Sequence, residues 1–266
     1  MSAPIRVGIG GWDYEPWRGT FYPAGLAKTK QLDHAGKHLT AIEINATHYK
    51  LQKPELFRKW GDSVPNGFKF AVKASRFCTN RRILADGREG IERFCGQGFT
   101  ELGDKLGPIL WQFMGHKRYD REDFAGFLKL LPRVQGGLVL RHVMEVRHDS
   151  FKTPDFIALA REENVGIVFA DSDDYPMIAD LTSDFVYARL QRCREDVPTG
   201  YDASELDRWA AIGKAWAAGE APEGLPYFGT AKAAKQPRDT YIFFIAGAKV
   251  RAPAAARALL ERLGPR

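Results

Sequence analysis

The stretch PDFIALAREENVGIVFAD, residues 154–171, contains the unit from which the fold is built. Thr153 and Pro154 mark the start of a helix, because threonine caps helix N-termini and proline is tolerated in the first turn. The apolar run from 165 to 170 is typical of a parallel strand that is buried on both faces. We therefore predict a helix over 154–163 followed by a strand over 165–171.

The same alternation of helix and strand extends along the whole chain. The predicted strands cover residues 5–10, 41–45, 68–74, 109–113, 138–146, 165–171, 185–190 and 240–245. The predicted helices cover residues 26–38, 54–63, 90–106, 121–131, 154–163, 204–218 and 254–263. Roughly eight such units in a chain of 266 residues match the size of an α/β fold of the (β/α)8 type, a TIM barrel with a closed parallel sheet and outer helices.

A doubly wound open sheet is the main alternative to the barrel. It is less favoured because residues 8–14, GIGGWDY, do not lead from the first strand into the GxGxxG helix of dinucleotide-binding folds. We expect a single barrel domain over 1–266, with a long loop at 218–239, a stretch rich in Gly, Ala and Lys.

Composition favours a globular chain that lies outside membranes. Apolar residues make up 44% of the chain, yet no apolar run approaches the roughly 18 residues of a membrane span. The first ten residues lack the pattern of a signal peptide, so we expect a cytoplasmic location. Cys78, Cys95 and Cys193 form no CxxC pair, which indicates three ordinary thiols and neither a disulfide framework nor a zinc site.

The net charge of +6 modestly favours anionic partners, such as phosphate esters, acidic metabolites or nucleic acid. The charge is less dense than in dedicated nucleic-acid binders, and general solubility is the alternative explanation for it.

Polar side chains interrupt the predicted strands near their carboxyl ends, where the sites of such barrels lie. Residues two apart share one face of a strand, so strands with an apolar middle can present polar side chains together at one end. The polar residues that we predict to converge there are Glu43, Asn45, Lys73, Gln112, Glu145, Arg147, Asp171 and Arg189.

The charged members of this set are three carboxylates and three cations. One interpretation is a buried ion-pair network that closes the barrel. We favour a ligand site, because a network alone seldom offsets the loss of hydration. The predicted catalytic acid or base groups are Glu43, Glu145 and Asp171. The predicted anion-holding groups are Lys73, Arg147 and Arg189, with Asn45 and Gln112 orienting the ligand.

The first loop, residues 11–23, is rich in aromatic side chains. One interpretation is that its five aromatic side chains form a stacking wall for a sugar or a base; the equal alternative is that they plug one side of the barrel mouth. Trp12 and Tyr14 of this loop, and Tyr49 after the second strand, are predicted to bind the ligand. A metal site would need His48 beside the three carboxylates, but the neighbouring cations compete for those groups, so we predict no bound metal. The sequence does not identify a cofactor.

Motifs along nearly the whole chain resemble those of the YecE-like family of uncharacterised TIM-barrel proteins. The matching segments are GGWDYEPWRGTFYP at 10–23, EINATHY at 43–49, PE at 54–55, FKFAVKA at 68–74, LGPILWQF at 106–113, EVRHDSF at 145–151, ADS at 170–172 and VYARL at 186–190. The resemblance implies a TIM barrel related in shape to the xylose-isomerase-like group, and it implies no established activity.

The chain departs from the family pattern at two strand ends. The family tends to carry His-Gly where this chain has Gln191 and Arg192, and an Asn-Asn pair where this chain has Ile245 and Ala246. A catalytic histidine from the family motif is therefore not expected here.

Three functions remain open from the sequence. The first is binding of a small anionic or polyol ligand, phosphate- or sugar-like, at the C-terminal mouth of the barrel, with a hydrolase or lyase reaction. The second is a nucleic-acid-associated or nuclease-like protein that uses the aromatic first loop and the basic segment 232–238. The third is a non-catalytic ligand-binding protein. No membrane partner is expected.

Overall fold

The computed structural model describes residues 2–264. Eight of its strands are parallel: β1 (Ile5–Gly10), β2 (Ala41–Ile44), β3 (Lys69–Lys73), β4 (Leu106–Gln112), β7 (His142–Glu145), β8 (Gly166–Asp171), β9 (Phe185–Leu190) and β10 (Asp239–Phe244). They close into a barrel in the order β1-β2-β3-β4-β7-β8-β9-β10, so the predicted (β/α)8 TIM barrel is confirmed.

Helices cover the outside of the barrel. They are α1 (Gln31–His38), α2 (Ala46–Tyr49), α3 (Pro54–Asp62), α4 (Arg76–Thr79), α5 (Arg88–Cys95), α6 (Arg121–Leu130), α7 (Pro154–Glu162), α8 (Ala203–Ala217) and α9 (Ala252–Leu263). The connection from β8 to β9, residues 172–184, contains no helix. Within residues 2–264, no helix is both long enough and apolar enough to cross a bilayer.

Two predicted elements are interrupted in the structure. The fifth predicted strand, 138–146, is split, because β5 (Val134–Gln135) and β6 (Leu138–Val139) pair as an antiparallel hairpin before β7 begins. Its turn is Gly136 and Gly137, both at positive φ, which glycine adopts without strain. The predicted helix 90–106 also breaks, since Gly98 is left-handed between α5 and a 3-10 segment at Phe99–Lys105.

The interior of the barrel has an apolar middle layer. Close approach of two strands requires a glycine there: a Cβ on Gly8 would lie 2.0 Å from the carbonyl oxygen of Ala41 on β2. Side chains of opposite parity face the helices instead, as Phe169 does against Trp209 and Trp216 of α8. The interior layer consists of Ala41, Ala71, Leu110, Val143, Val168, Phe185, Tyr187, Tyr241 and Phe243.

Ion pairs lie at the N-terminal ends of the strands. Arg141 contacts Asp239 at 2.6 Å and Asp184 at 3.2 Å, and Arg6 lies 3.8 Å from Asp239. These charges satisfy one another, so this end of the barrel is closed by structural pairs.

The segment 218–238 between α8 and β10 contains neither helix nor strand. It lies at the same N-terminal end, because it leads directly into β10. Arg238 is buried, and its guanidinium donates to the carbonyl oxygens of Ser183, Ala234 and Gln236. This basic segment is therefore at the opposite end of the barrel from the first loop.

Candidate functional site

Polar side chains gather at the C-terminal ends of five strands. Because parallel strands deliver their carboxyl ends to one rim, residues far apart in the chain meet there. We call this group the strand-end cluster; it consists of Glu43 (β2), Lys73 (β3), Gln112 (β4), Glu145 (β7), Arg189 (β9) and Arg147, which follows β7.

Arg189 links two carboxylates across the barrel. Its Nη2 donates to Oε1 of Glu43 at 3.0 Å, and its Nη1 donates to Oε2 of Glu145. The hydroxyl of Tyr187 donates to the other oxygen of Glu43 at 2.7 Å. All four side chains are buried, and the flanking carboxylates raise the pKa of Arg189 above its usual value despite that burial. The guanidinium therefore stays charged and fixes both carboxylates.

Glu145 is held by further donors. Gln112 Nε2 donates to its Oε2 at 2.6 Å, and Arg147 Nη2 donates to its Oε1 at 3.1 Å. Burial alone would raise the pKa of Glu145, but the guanidinium groups of Arg189 and Arg147 outweigh it and lower the pKa to about 2. Glu145 is therefore ionised near neutral pH and serves as a fixed negative charge, not as a carrier of protons.

Lys73 differs from the other members of the cluster. Its side chain is buried, with 7% of the residue exposed, and within residues 2–264 no acceptor lies in hydrogen-bonding range of Nζ. Burial and the charge of Arg189 lower the pKa of Lys73 to about 8, although Glu43 and Glu145 oppose the shift. Lys73 can therefore exchange a proton near neutral pH.

His48 lies near Lys73 at the end of β2. Its Nδ1 donates to the carbonyl oxygen of Ala74 at 2.8 Å, so that nitrogen carries the proton. Burial lowers the pKa of His48, and the charges of Lys73, Arg76 and Arg147 lower it further. The downward pKa shifts of Lys73 and His48 therefore both favour the uncharged form, an amine and an imidazole.

The structure does not bring Asp171 into the cluster. On β8, Val168 and Ala170 face the interior, so Asp171 has the opposite parity and faces the helices. Its Oδ1 lies 3.0 Å from Arg192, and the hydroxyl of Tyr201 lies 3.5 Å from its Oδ2. The prediction that Asp171 lies with Glu43 and Glu145 is therefore wrong. Within residues 2–264, no group of three His, Cys, Asp or Glu side chains is placed to hold a metal ion.

The predicted orienting amide Asn45 lies at the edge of the cluster. Its Nδ2 is 3.5 Å from the carbonyl oxygen of Glu43, a long hydrogen bond. Asn45 and Ile245 lie on either side of Gly10, at the end of β1. A Cβ atom added to Gly10 would be 3.1 Å from each of the two side chains. Ile245 makes this side of the mouth apolar.

The predicted aromatic wall is not assembled around the cluster. Trp12 packs edge-on against Trp60, and Tyr14 lies beneath the amine of Lys249 at 4.6 Å. Tyr49 is 65% exposed, and its ring lies edge-on to that of His48 at 5.1 Å. The other aromatic side chains of the first loop belong to the core: Trp17, Phe21 and Tyr22 are buried and pack edge to face or tilted.

An open groove adjoins the mouth. It has a volume of about 500 Å³ and is lined by Tyr49, Leu51, Ser75, Phe77 and Arg81, among others. Ser75 follows Lys73 by two residues, so the groove meets the rim beside the end of β3.

A family model described as "Protein of unknown function DUF72" matches residues 6–266. The chain belongs to the DUF72 family. The curated relatives are UPF0759 proteins: YunF of Bacillus subtilis is 27% identical over 57% of this chain, and YecE of Escherichia coli is 25% identical over 40%. These matches confirm the YecE-like resemblance. They cover 54% of YunF and 33% of YecE, so the chain spans about half the length of one relative and a third of the other.

Solved structures of DUF72 proteins share the fold. One from Thermotoga maritima is 19% identical to this chain and has a TM-score of 0.73, covering 98% of this chain and 99% of that one. At this identity the likeness shows a common barrel and nothing about a ligand.

Two residues of this DUF72 site were not selected from the sequence. Tyr187 lies two residues before Arg189 on β9, so both side chains face the interior of the barrel. That spacing would have identified Tyr187 as a partner of the cluster. Tyr175 stacks its ring 4.2 Å from the guanidinium of Arg147. It comes from the irregular connection after β8, where no periodic pattern could have placed it.

Proposed function

We propose that this chain binds a small anionic or polyol ligand, phosphate- or sugar-like, at the C-terminal mouth of the barrel, with a hydrolase or lyase reaction as the activity to test first. The charge of the strand-end cluster carries the proposal. Three cationic side chains face two carboxylates, so the formal charge with Lys73 protonated is +1. A buried charge without a counter-ion is unfavourable, and a bound anion would supply that counter-ion.

The interpretation as a purely structural network accounts for less of the cluster. Arg189 already joins Glu43 to Glu145 through Nη2 and Nη1, but its buried Nε has no hydrogen-bond partner within residues 2–264. Lys73 contributes no hydrogen bond to the network within residues 2–264, yet it is buried beside it. A site for an incoming ligand explains its position, since a network alone would be more stable without it.

Arg147 supplies the second point of attachment. Its side chain is 19% exposed, and only Nε and Nη2 are engaged, both with Glu145. Within residues 2–264, Nη1 has no acceptor, and the ring of Tyr175 supports the plane of the guanidinium. Arginine presents a planar pair of donors to phosphate or carboxylate.

Calorimetry tests this proposal with inorganic phosphate, sulfate and xylitol as probes. We expect one anion or the polyol to bind the wild-type protein with a stoichiometry of one. For an anion, Lys73→Met and Arg147→Ala should each weaken binding by roughly tenfold or more, as loss of a hydrogen bond to a charged group implies. The protein is then incubated with phosphate esters and with glycosides, and the mixture is analysed for reaction products. Turnover would identify an enzyme, and binding without turnover a non-catalytic binder.

Lys232→Met is the matched control, because it removes one positive charge from an exposed position at the other end of the barrel. It should leave binding unchanged. Binding that is equally weak in the control, or that is indifferent to Lys73→Met, contradicts the proposal.

The nucleic-acid alternative receives less support from the geometry. The first loop lies at the C-terminal end of the barrel, whereas 232–238 leads into β10 at the N-terminal end. Arg238 is moreover occupied by carbonyl oxygens. One strand of nucleic acid would therefore not contact both segments together. Binding that weakens steeply with salt would revive this alternative.

A further inference from the structure

We infer that Lys73 is a nucleophile, and that its ε-amine forms an imine with the carbonyl group of an anionic aldehyde, ketone or oxo acid held in the barrel mouth. This inference rests on the proposed ligand binding and names the class of ligand. It favours a lyase-type reaction over hydrolysis, because an imine activates the bonds to the adjacent carbon.

The position of Lys73 sets it apart from a lysine that only attracts anions. It ends β3 on the interior face, beside the predicted binding groups, and 7% of the residue is exposed. Every other charged member of the cluster is hydrogen-bonded, while Nζ of Lys73 has no acceptor within residues 2–264. A desolvated lysine near other cations is the arrangement that activates an amine toward carbonyl groups.

The groups that face Lys73 come from each neighbouring element. They are Glu43 of β2, His48 of α2, Glu145 of β7, Arg147 after β7 and Arg189 of β9. Burial and Arg189 outweigh the carboxylates and lower the pKa of Lys73 to about 8. At pH 7.5 the neutral share of such an amine is roughly two-hundredfold larger than that of an ordinary surface lysine.

The proposed step balances without a further reactant. The lone pair of Nζ attacks the carbonyl carbon, a C–N bond forms, and the carbonyl electron pair moves to oxygen, which takes up the first amine hydrogen as a proton. The C–O bond of the carbinolamine then breaks, and the hydroxyl leaves as water with the second amine hydrogen. Protonation of the imine gives a cation in place of the lysine ammonium, and the ionised Glu145 nearby stabilises it.

Reductive trapping tests the inference. The protein is incubated at pH 7.5 with glyoxylate or with glyceraldehyde 3-phosphate, in the presence of cyanoborohydride, and adducts are located by peptide mass spectrometry. We expect one dominant reduced adduct on Lys73, formed at least tenfold faster than on the exposed Lys232. The rate should rise with pH and level off above about 8. Equal labelling of Lys73 and Lys232, or labelling confined to surface lysines, overturns the inference.

Calorimetry beside the trapping experiment separates this inference from the proposed function. Lys73→Arg has no amine that can form an imine at this pH, so it should lose the dominant adduct, whereas Lys232→Met should keep both the adduct and anion binding. Wild-type protein that binds phosphate in calorimetry but yields no Lys73 adduct would refute the imine and leave the ligand site intact. A Lys73 adduct without any binding of anions or polyols would refute the binding proposal instead.

Discussion

Arg189 is the residue on which the strand-end cluster depends. Its guanidinium reaches Glu43 and Glu145, two carboxylates on different strands that lie far from it in sequence. Each of those carboxylates is almost completely buried. Without Arg189, two negative charges would remain in the interior with fewer counter-ions.

Arg189→Met should therefore lower the free energy of unfolding by roughly 3–5 kcal/mol, the usual consequence of breaking a buried ion pair from one side. Denaturant unfolding followed by circular dichroism measures the loss. Adding Glu43→Gln should recover part of it, since Glu145 then keeps Arg147 as its ion-pair partner and no second carboxylate lies beside it unpaired. A single variant as stable as the wild type would show that water already hydrates the two carboxylates.

Lys73 should make stability depend on pH in a defined window. Its pKa is about 8 in the folded protein, against 10.5 for an unperturbed lysine such as that of the unfolded chain. Between these values the unfolded chain holds a proton that the folded one has released, so stability rises with pH there. Below about pH 8 the folded protein carries the full penalty of the buried charge.

Lys73→Met should accordingly raise the free energy of unfolding at pH 7 by about 1–3 kcal/mol, because it removes that penalty. The gain should shrink as the pH rises from 8 toward 10.5. Unfolding curves of both proteins at several pH values give the difference, with the exposed Lys232→Met as the control. If the difference in free energy of unfolding between Lys73→Met and the wild type stayed constant from pH 8 to 10.5, the pKa of Lys73 would be the same in the folded and unfolded chains.

At the level of elements, α8 begins with an N-terminal cap. Asp202 and Glu205 form a capping box, and Glu205 Oε2 accepts the backbone N–H of Asp202 at 2.7 Å. The cap satisfies backbone donors that the first turn would otherwise leave unpaired. The helix also carries Trp209 and Trp216, which pack on Phe169 of β8.

Asp202→Ala should lower the free energy of unfolding by about 1 kcal/mol, the usual effect of losing an N-cap. The neighbouring exposed Ser204→Ala is the matched control and should change little. Thermal unfolding of the two variants gives the comparison. If both variants lowered the unfolding temperature equally, helix propensity and not the cap would determine the stability of the N-terminal end of α8.

At the level of the whole molecule, the three cysteines belong to the packed interior. Cys78, Cys95 and Cys193 are all buried and free. Burial raises the pKa of each thiol to about 12. The thiolate is the reactive form, so all three should be inert in the folded protein.

Ellman's reagent at pH 7.5 should therefore find no rapidly reacting thiol in the native protein and three after denaturation in guanidinium chloride. Fast reaction of even one native thiol would mean that the helices around it open readily, and peptide mapping of the labelled cysteine would identify where.

The amino-acid sequence by itself determined the barrel. Apolar runs such as 165–170 and their alternation with helical segments are local features, and local features decide which residues form strands and which parity faces inward. Glu43, Lys73, Glu145 and Arg189 could be assigned to one rim on that basis. The break at Gly98 and the separate hairpin of β5 and β6 were missed, because a local pattern does not reveal whether the chain turns there.

Only the tertiary structure decided which of these groups meet. Arg189 reaches Glu43 and Glu145 because the register and curvature of the closed sheet set distances across the barrel, and no local propensity encodes those distances. The same geometry leaves Lys73 without an acceptor within residues 2–264, whereas strand parity alone already turns Asp171 outward to Arg192. Local sequence thus determined the composition of the rim, whereas the closure of the barrel determined its pairing, since pairing depends on contacts between residues far apart in the chain.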